Sequence, residues 1–227
     1  MTFRKFMRYA FYRLDPAWRA VAPEDRALHK KELIDLLTEG LPEGIEVHPY
    51  SVVGLRADTD LLLWEVAESP LPIQELQSRL NATALGRALI PSHSYLAMAR
   101  PSKYLKGHQH AGQEVDLPPG PVGSTYLFVY PMVKVRPWYR LPFEERRRMM
   151  GEHFRIGHKY PGIKIHTGYS FGLDDQEFVV AFEGESPAEF LDLVMELRES
   201  EVSSYTEREV PIFTCARRPL PEILDQL

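Results

Sequence analysis

Cysteine is almost absent. Cys215 stands alone in 227 residues, so no disulfide can form within the chain and the pattern fits a reducing compartment. Without a CxxC pair, zinc-ribbon and iron–sulfur readings fall away. Cys215 itself reads as a small buried apolar residue rather than a nucleophile. No uninterrupted apolar stretch approaches the roughly 18 residues that cross a bilayer, and the basic start at Arg4, Lys5 and Arg8 leads into no signal-peptide core. GxGxxG, Walker and GxSxG loops are missing too. Positive charge is in deficit: a net of −5 argues against general affinity for nucleic acid or anionic membrane, while leaving room for a local basic pocket. What remains is expected to be a cytoplasmic enzyme or binding protein, 44% hydrophobic and long enough to bury a substantial core.

The chain then says one thing twice. Gly44-Ile45-Glu46-Val47-His48 returns as Gly162-Ile163-Lys164-Ile165-His166, and each copy runs on to a Gly-Leu pair, Gly54-Leu55 and Gly172-Leu173. Downstream, Glu68-Ser69-Pro70 is echoed by Glu185-Ser186-Pro187; upstream, Pro16-Ala17-Trp18 and Asp25-Arg26 are echoed by Arg136-Pro137-Trp138 and Glu145-Arg146. A duplicated fold unit follows, and positions where the copies differ are where chemistry was added. The clearest difference in the sequence is Tyr139, whose counterpart is Arg19.

Periodicity gives the same order of elements in both halves. Strands are expected at 3–14, 44–55, 60–67 and 94–99, with helices at 25–37 and 70–89. The second half repeats this with strands at 125–135, 162–171, 176–183 and 209–216, and helices at 143–158 and 187–199. Each half is β-α-β-β-α-β, the ferredoxin-like arrangement, so the fold class is α+β. The units span 1–100 and 124–227. Between them 101–123 carries Pro101, Pro118, Pro119 and Pro121 and is expected to be both linker and cover. Two such units can pack sheet against sheet or join into one barrel; periodicity does not choose.

Several residues could carry chemistry. Lys134 to Arg140 sets three cations beside Trp138 and Tyr139. Arginine forks hold carboxylates, and an aromatic wall suits a flat ligand; a solvated strand end is the bland alternative. His166 lies mid-strand and can offer one imidazole nitrogen to a metal, although His48 at the matching place argues for packing. His108-Gln109-His110, with Glu114 as a third group, has the alternate spacing of some metal sites but reads better as a solvated loop. His153 and His158, on an arginine-rich helix, lack HExxH spacing; that helix reads as mostly solvated with one or two positions facing a ligand. Asp174-Asp175 belongs to a turn.

At Tyr130-Pro131-Met132, Trp138-Tyr139-Arg140-Leu141-Pro142 and the Glu144-Glu145-Arg146 helix, the chain resembles the chlorite dismutase-like superfamily, and within it the coproheme decarboxylases. The likeness runs on through Gly157, Tyr160, His166, Gly172 and Asp174-Asp175. It implies paired ferredoxin-like units forming a dimeric α+β barrel within one chain, rings of five subunits, and haem bound only by the second unit. By that resemblance His166 is the axial iron ligand, Tyr139 the redox-active tyrosine, and Lys134, Arg136, Tyr104 and Trp138 line the porphyrin and its propionates. Val179 takes the distal position, where relatives carry arginine or glutamine, and Pro211 replaces a serine near the propionates.

The implied reaction is the oxidative decarboxylation of two propionates of iron coproporphyrin III, coproheme, to haem b with hydrogen peroxide as oxidant. The implied partners are the porphyrin, further copies of the chain in a homopentamer and other haem-pathway enzymes, with neither nucleic acid nor an integral membrane. Val179 and Pro211 motivate one alternative, a haem carrier or sensor without turnover; a second alternative is a haem protein with weak peroxidase or chlorite-degrading activity.

Overall fold

A computed structural model describes residues 4–104 and 120–227. The His108-Gln109-His110 motif and most of the expected cover therefore lie outside the described residues. In the first unit, β1 (Phe6–Leu14), β2 (Ile45–Ser51), β3 (Leu61–Ala67) and β4 (Leu89–Ala99) alternate with α1 (Pro23–Thr38) and α2 (Pro70–Ala82). The second unit runs β5 (Tyr126–Lys134), α3 (Arg136–Arg140), α4 (Phe143–Gly157), β6 (Lys164–Tyr169), β7 (Phe178–Gly184), α5 (Pro187–Glu199), β8 (Thr206–Arg208), β9 (Phe213–Arg217) and α6 (Leu220–Asp225).

The strands form one antiparallel sheet in the order β7-β6-β4-β1-β3-β2-β9-β5-β8, and β7 also pairs with β5. That last pairing closes eight strands into a barrel, leaving β8 as an appendix on β5. Two short seams join the units. Met98 and Ala99 of β4 face Tyr169 and Gly168 of β6, and Tyr50 and Ser51 of β2 face Arg217 and Ala216 of β9.

Strand alternation separates an inner from an outer core. Every other residue points inward, where Met7, Tyr9, Phe11, Tyr50, Leu62, Trp64, Leu127, Val129, Val179, Ala181 and Phe213 pack together. The outer face of the first unit buries Ala10, Tyr12, Leu14, Leu61 and Leu63 against Leu33 and Leu37 of α1 and Ile73, Leu76 and Leu80 of α2. The outer face of the second unit packs Phe128, Tyr130, Val180 and Phe182 against Ile156 of α4 and Phe190 and Leu193 of α5. Strands used on both faces need apolar residues throughout, which is why all seven residues of β3 are buried.

The expected helix over 70–89 stops at Ala82. The chain turns tightly instead, and a Cβ at Gly86 would lie 1.9 Å from the Leu80 carbonyl oxygen, so only glycine fits the bend. As a result β4 begins at Leu89 rather than 94. The two Gly-Leu echoes sit in matching turns, where Gly54 has φ +76° and Gly172 φ +73°. β2 and β6 end before those turns, at Ser51 and Tyr169.

Candidate functional site

The duplication locates the site. Because β1 pairs with β3 as β5 pairs with β7, the strands and helices of one unit can be matched to the other residue by residue. Ala10, Leu14 and Leu33, all in the closed outer core of the first unit, correspond to Tyr130, Lys134 and His153. A phenol, an amine and an imidazole thus replace three apolar core residues at one place. All three face the layer between the sheet and α4.

His153 follows from helical spacing. Met149, His153 and Ile156 form one stripe of α4; Met149 joins a cluster with Trp138 and Val202, while Ile156 joins the main outer core. The imidazole lies between these two clusters. Its Nδ1 is buried with no hydrogen-bond partner, and burial, with Lys134 nearby, pushes its pKa down to about 4. A neutral, unpartnered imidazole in an apolar layer has a lone pair to give to a metal.

The sheet side presents Tyr130, Met132 and Lys134 of β5 and Phe178 of β7. The Tyr169 ring of β6 lies 5.4 Å from that of Phe178, and Ile165 remains 43% exposed. Tyr130 is buried, stacks on Phe182 at 5.9 Å and titrates well above the ordinary phenol because of that burial. The Lys134 ammonium donates to the Val202 carbonyl (3.2 Å) and Thr206 Oγ1 (3.1 Å) and lies 5.2 Å from the Trp138 ring. Burial lowers its pKa to about 8.

Tyr104 reaches the same edge, stacked 5.6 Å from Phe143 and accepting a bond from Arg146. The Arg146 Nε is buried without a partner. Trp138 is buried among Met149, Val202 and Tyr205. Arg136 projects into solvent, its side chain 82% exposed.

Three of the expected site residues do not line this layer. His166 cannot serve as a ligand in the outer layer, because alternation along β6 turns its ring into the barrel. There it lies 5.1 Å from the Trp64 ring, and its Nε2 is bound to Glu183 at 2.8 Å. Glu183 is fully buried. Burial alone would raise its carboxyl, but bonds from His166 and from the Val122 and Gly123 N–H groups outweigh that and hold it low. His48, the counterpart, meets the same Trp64 at 6.2 Å, so the repeated histidines belong to the barrel interior.

Val179 also points inward and is fully buried, away from this outer layer. Tyr139 lies at the rim. Its phenol donates to Glu177, and its ring meets Phe171 edge-on at 5.8 Å. Burial and the Glu177 carboxylate raise its pKa far above the usual value. The signal for His153 was present in the sequence as a histidine where the first copy has leucine, but it needed the offset of 120 residues that Trp18 and Trp138 define.

A barrel of two ferredoxin-like units with a histidine-bearing layer on the second defines a class, and the chain belongs to the chlorite dismutase family: the family profile described as Chlorite dismutase matches residues 26–218. Within that family it is 36% identical over 214 residues to the coproheme decarboxylase of Mycolicibacterium smegmatis, covering 92% of this chain and 90% of that one. It is 32% identical over 213 residues to the coproheme decarboxylase of Staphylococcus carnosus, covering 86% and 84%. Among solved structures, an arginine-to-lysine variant of chlorite dismutase from Candidatus Nitrospira defluvii superposes with a TM-score of 0.90 at 26% identity, covering 98% of this chain and 94% of that one.

Proposed function

We propose that this protein is a coproheme decarboxylase that converts iron coproporphyrin III to haem b, with hydrogen peroxide as the oxidant. The observation that carries the reading is His153, a half-buried neutral imidazole whose Nδ1 is buried and unpartnered, in a family whose relatives at 36% and 32% identity are coproheme decarboxylases. His153 holds the iron in this reading. Lys134, Arg146 and Tyr104 surround the layer with donors for the carboxylates of the substrate, while Met132, Phe178 and Tyr169 supply apolar wall.

In each round one propionic acid and one hydrogen peroxide give a vinyl group, one carbon dioxide and two waters. When bound, the iron supplies the peroxide chemistry; the protein supplies placement and a phenol. Tyr130 is the phenol on the same wall as Lys134 and across the layer from α4, so it is assigned the role of taking hydrogen from the propionate. Tyr139, already bonded to Glu177, is assigned to the rim.

The test uses purified protein, ferric coproheme and peroxide, with porphyrins separated by mass. Tyr130→Phe is expected to bind coproheme and convert it less than about a hundredth as fast, a loss of the order seen when one positioned hydrogen-transfer group is removed, while Tyr139→Phe still makes haem b. His153→Ala is expected to lose the axial nitrogen signal in electron paramagnetic resonance. Normal turnover by Tyr130→Phe, or an unchanged axial signal in His153→Ala, sinks the assignment.

A further inference from the structure

Glu177 does two things, and the repeat separates them. Its carboxylate accepts the backbone N–H of Lys134 at 2.9 Å, holding the end of β5. The first unit has the same clamp, for Asp60 accepts the Leu14 N–H at 2.8 Å. The surrounding backbone matches as well: Val52 N–H donates to the Asp60 carbonyl and Ser170 N–H to the Glu177 carbonyl, both at 2.8 Å. A carboxylate at this turn is therefore structural, and aspartate is long enough for the work.

The second unit adds a methylene and two further donors. Glu177 also takes the Tyr139 phenol and, at 3.4 Å, the Arg136 guanidinium. The first unit has Arg19 and Pro16 in those places, and Arg19 donates to the Leu227 carbonyl instead. The extra contacts lie only on the unit that carries His153, at the edge where Lys134 ends the sheet wall. Arg136 has no other carboxylate partner among the described residues, and most of its side chain lies in water.

From this difference between the copies we infer that Glu177 is an internal competitor for Arg136, a carboxylate that yields the guanidinium only to a ligand carboxylate and so holds down affinity for the four-carboxylate substrate while leaving that for the two-carboxylate product unchanged. The inference rests on the function proposed above. A porphyrin with a propionate at this edge draws Arg136 away from Glu177 and forfeits the Arg136–Glu177 pair in doing so. Once that propionate has become vinyl, Arg136 returns to Glu177, and the product gains nothing from the arginine.

The experiment titrates ferric coproheme and ferric haem b into wild type, Glu177→Gln, Glu177→Asp, Arg136→Gln and the Arg136→Gln/Glu177→Gln double variant, following the Soret band at low salt. Glutamine keeps an acceptor for the Lys134 N–H, and aspartate restores the clamp of the first unit, so both are expected to fold. Each should tighten coproheme about two- to five-fold, the range of an ion pair with one partner in water, and leave haem b unchanged. In the double variant the gain should vanish, because no guanidinium remains to be released.

Equal effects on both porphyrins, or a gain that survives without Arg136, would overturn the inference while leaving the proposed function standing. Failure of wild type to bind either porphyrin would remove the function and the inference together.

Discussion

At the residue scale, two histidines on opposite sides of one sheet sit in opposite surroundings: His166 is bonded to Glu183 and the Nδ1 of His153 has no partner. His153 is neutral in the fold, with a pKa of about 4 against an ordinary 6.5. The folded state therefore binds fewer protons than the unfolded chain between those values. Its contribution to stability is complete above pH 6.5 and is lost as the pH falls toward 4. The difference amounts to at most about 3 kcal/mol.

His153→Leu installs the residue that the first unit has at this place, so its stability should fall less than wild type's between pH 6.5 and 4, as read by urea unfolding. His166→Ala is a different experiment. It leaves the buried Glu183 carboxylate without its imidazole, and the loss is expected to be roughly 3 kcal/mol, read as a lower melting temperature with the axial iron signal intact.

These residues also mark the limit of the sequence. His166 attracts notice because it sits in a repeated motif, yet repetition reflects the shared barrel interior, where both histidines meet Trp64. His153 is visible only as a departure from repetition.

At the element scale, much was legible because each element is written twice. The helices at 143–158 and 187–199 were expected within a residue of their observed ends, since an apolar stripe at helical spacing is a strong signal over such lengths. The short helices α3 and α6, of 5 and 6 residues, were not expected. Too short to show a period, they are set by proline near the N-terminus, Pro137 in one and Pro221 in the other.

The turns after β2 and β6 rest on Gly54 and Gly172, both in the left-handed region, with nothing within 4 Å of a Cβ at either. Alanine at either position should cost about 1–2 kcal/mol through backbone strain alone, and by similar amounts because the space is equally open. A chemical-denaturation midpoint unchanged in Gly172→Ala would contradict that account.

At the scale of the whole molecule, closure of the sheet was the part that periodicity could not supply, because alternation says that a strand has two buried faces but not what covers each. The family resemblance implied the barrel, and the β5–β7 pairing together with the seams at Met98–Tyr169 and Tyr50–Arg217 completes it. The inner core is therefore common property. Tyr9, Phe11, Tyr50 and Trp64 come from one unit; Leu127, Val129, Val179, Ala181 and Phe213 come from the other.

Neither unit can dispense with its sibling, even though only one carries His153. Residues 120–227 produced alone would bare a concave greasy lining to water and are expected to aggregate. Supplying residues 1–104 as a separate polypeptide should rescue them by fragment complementation, detected as a soluble one-to-one complex. A duplicated gene segment that never gained the chemistry of its copy would thus still be retained, as the stave without which the cask cannot be closed.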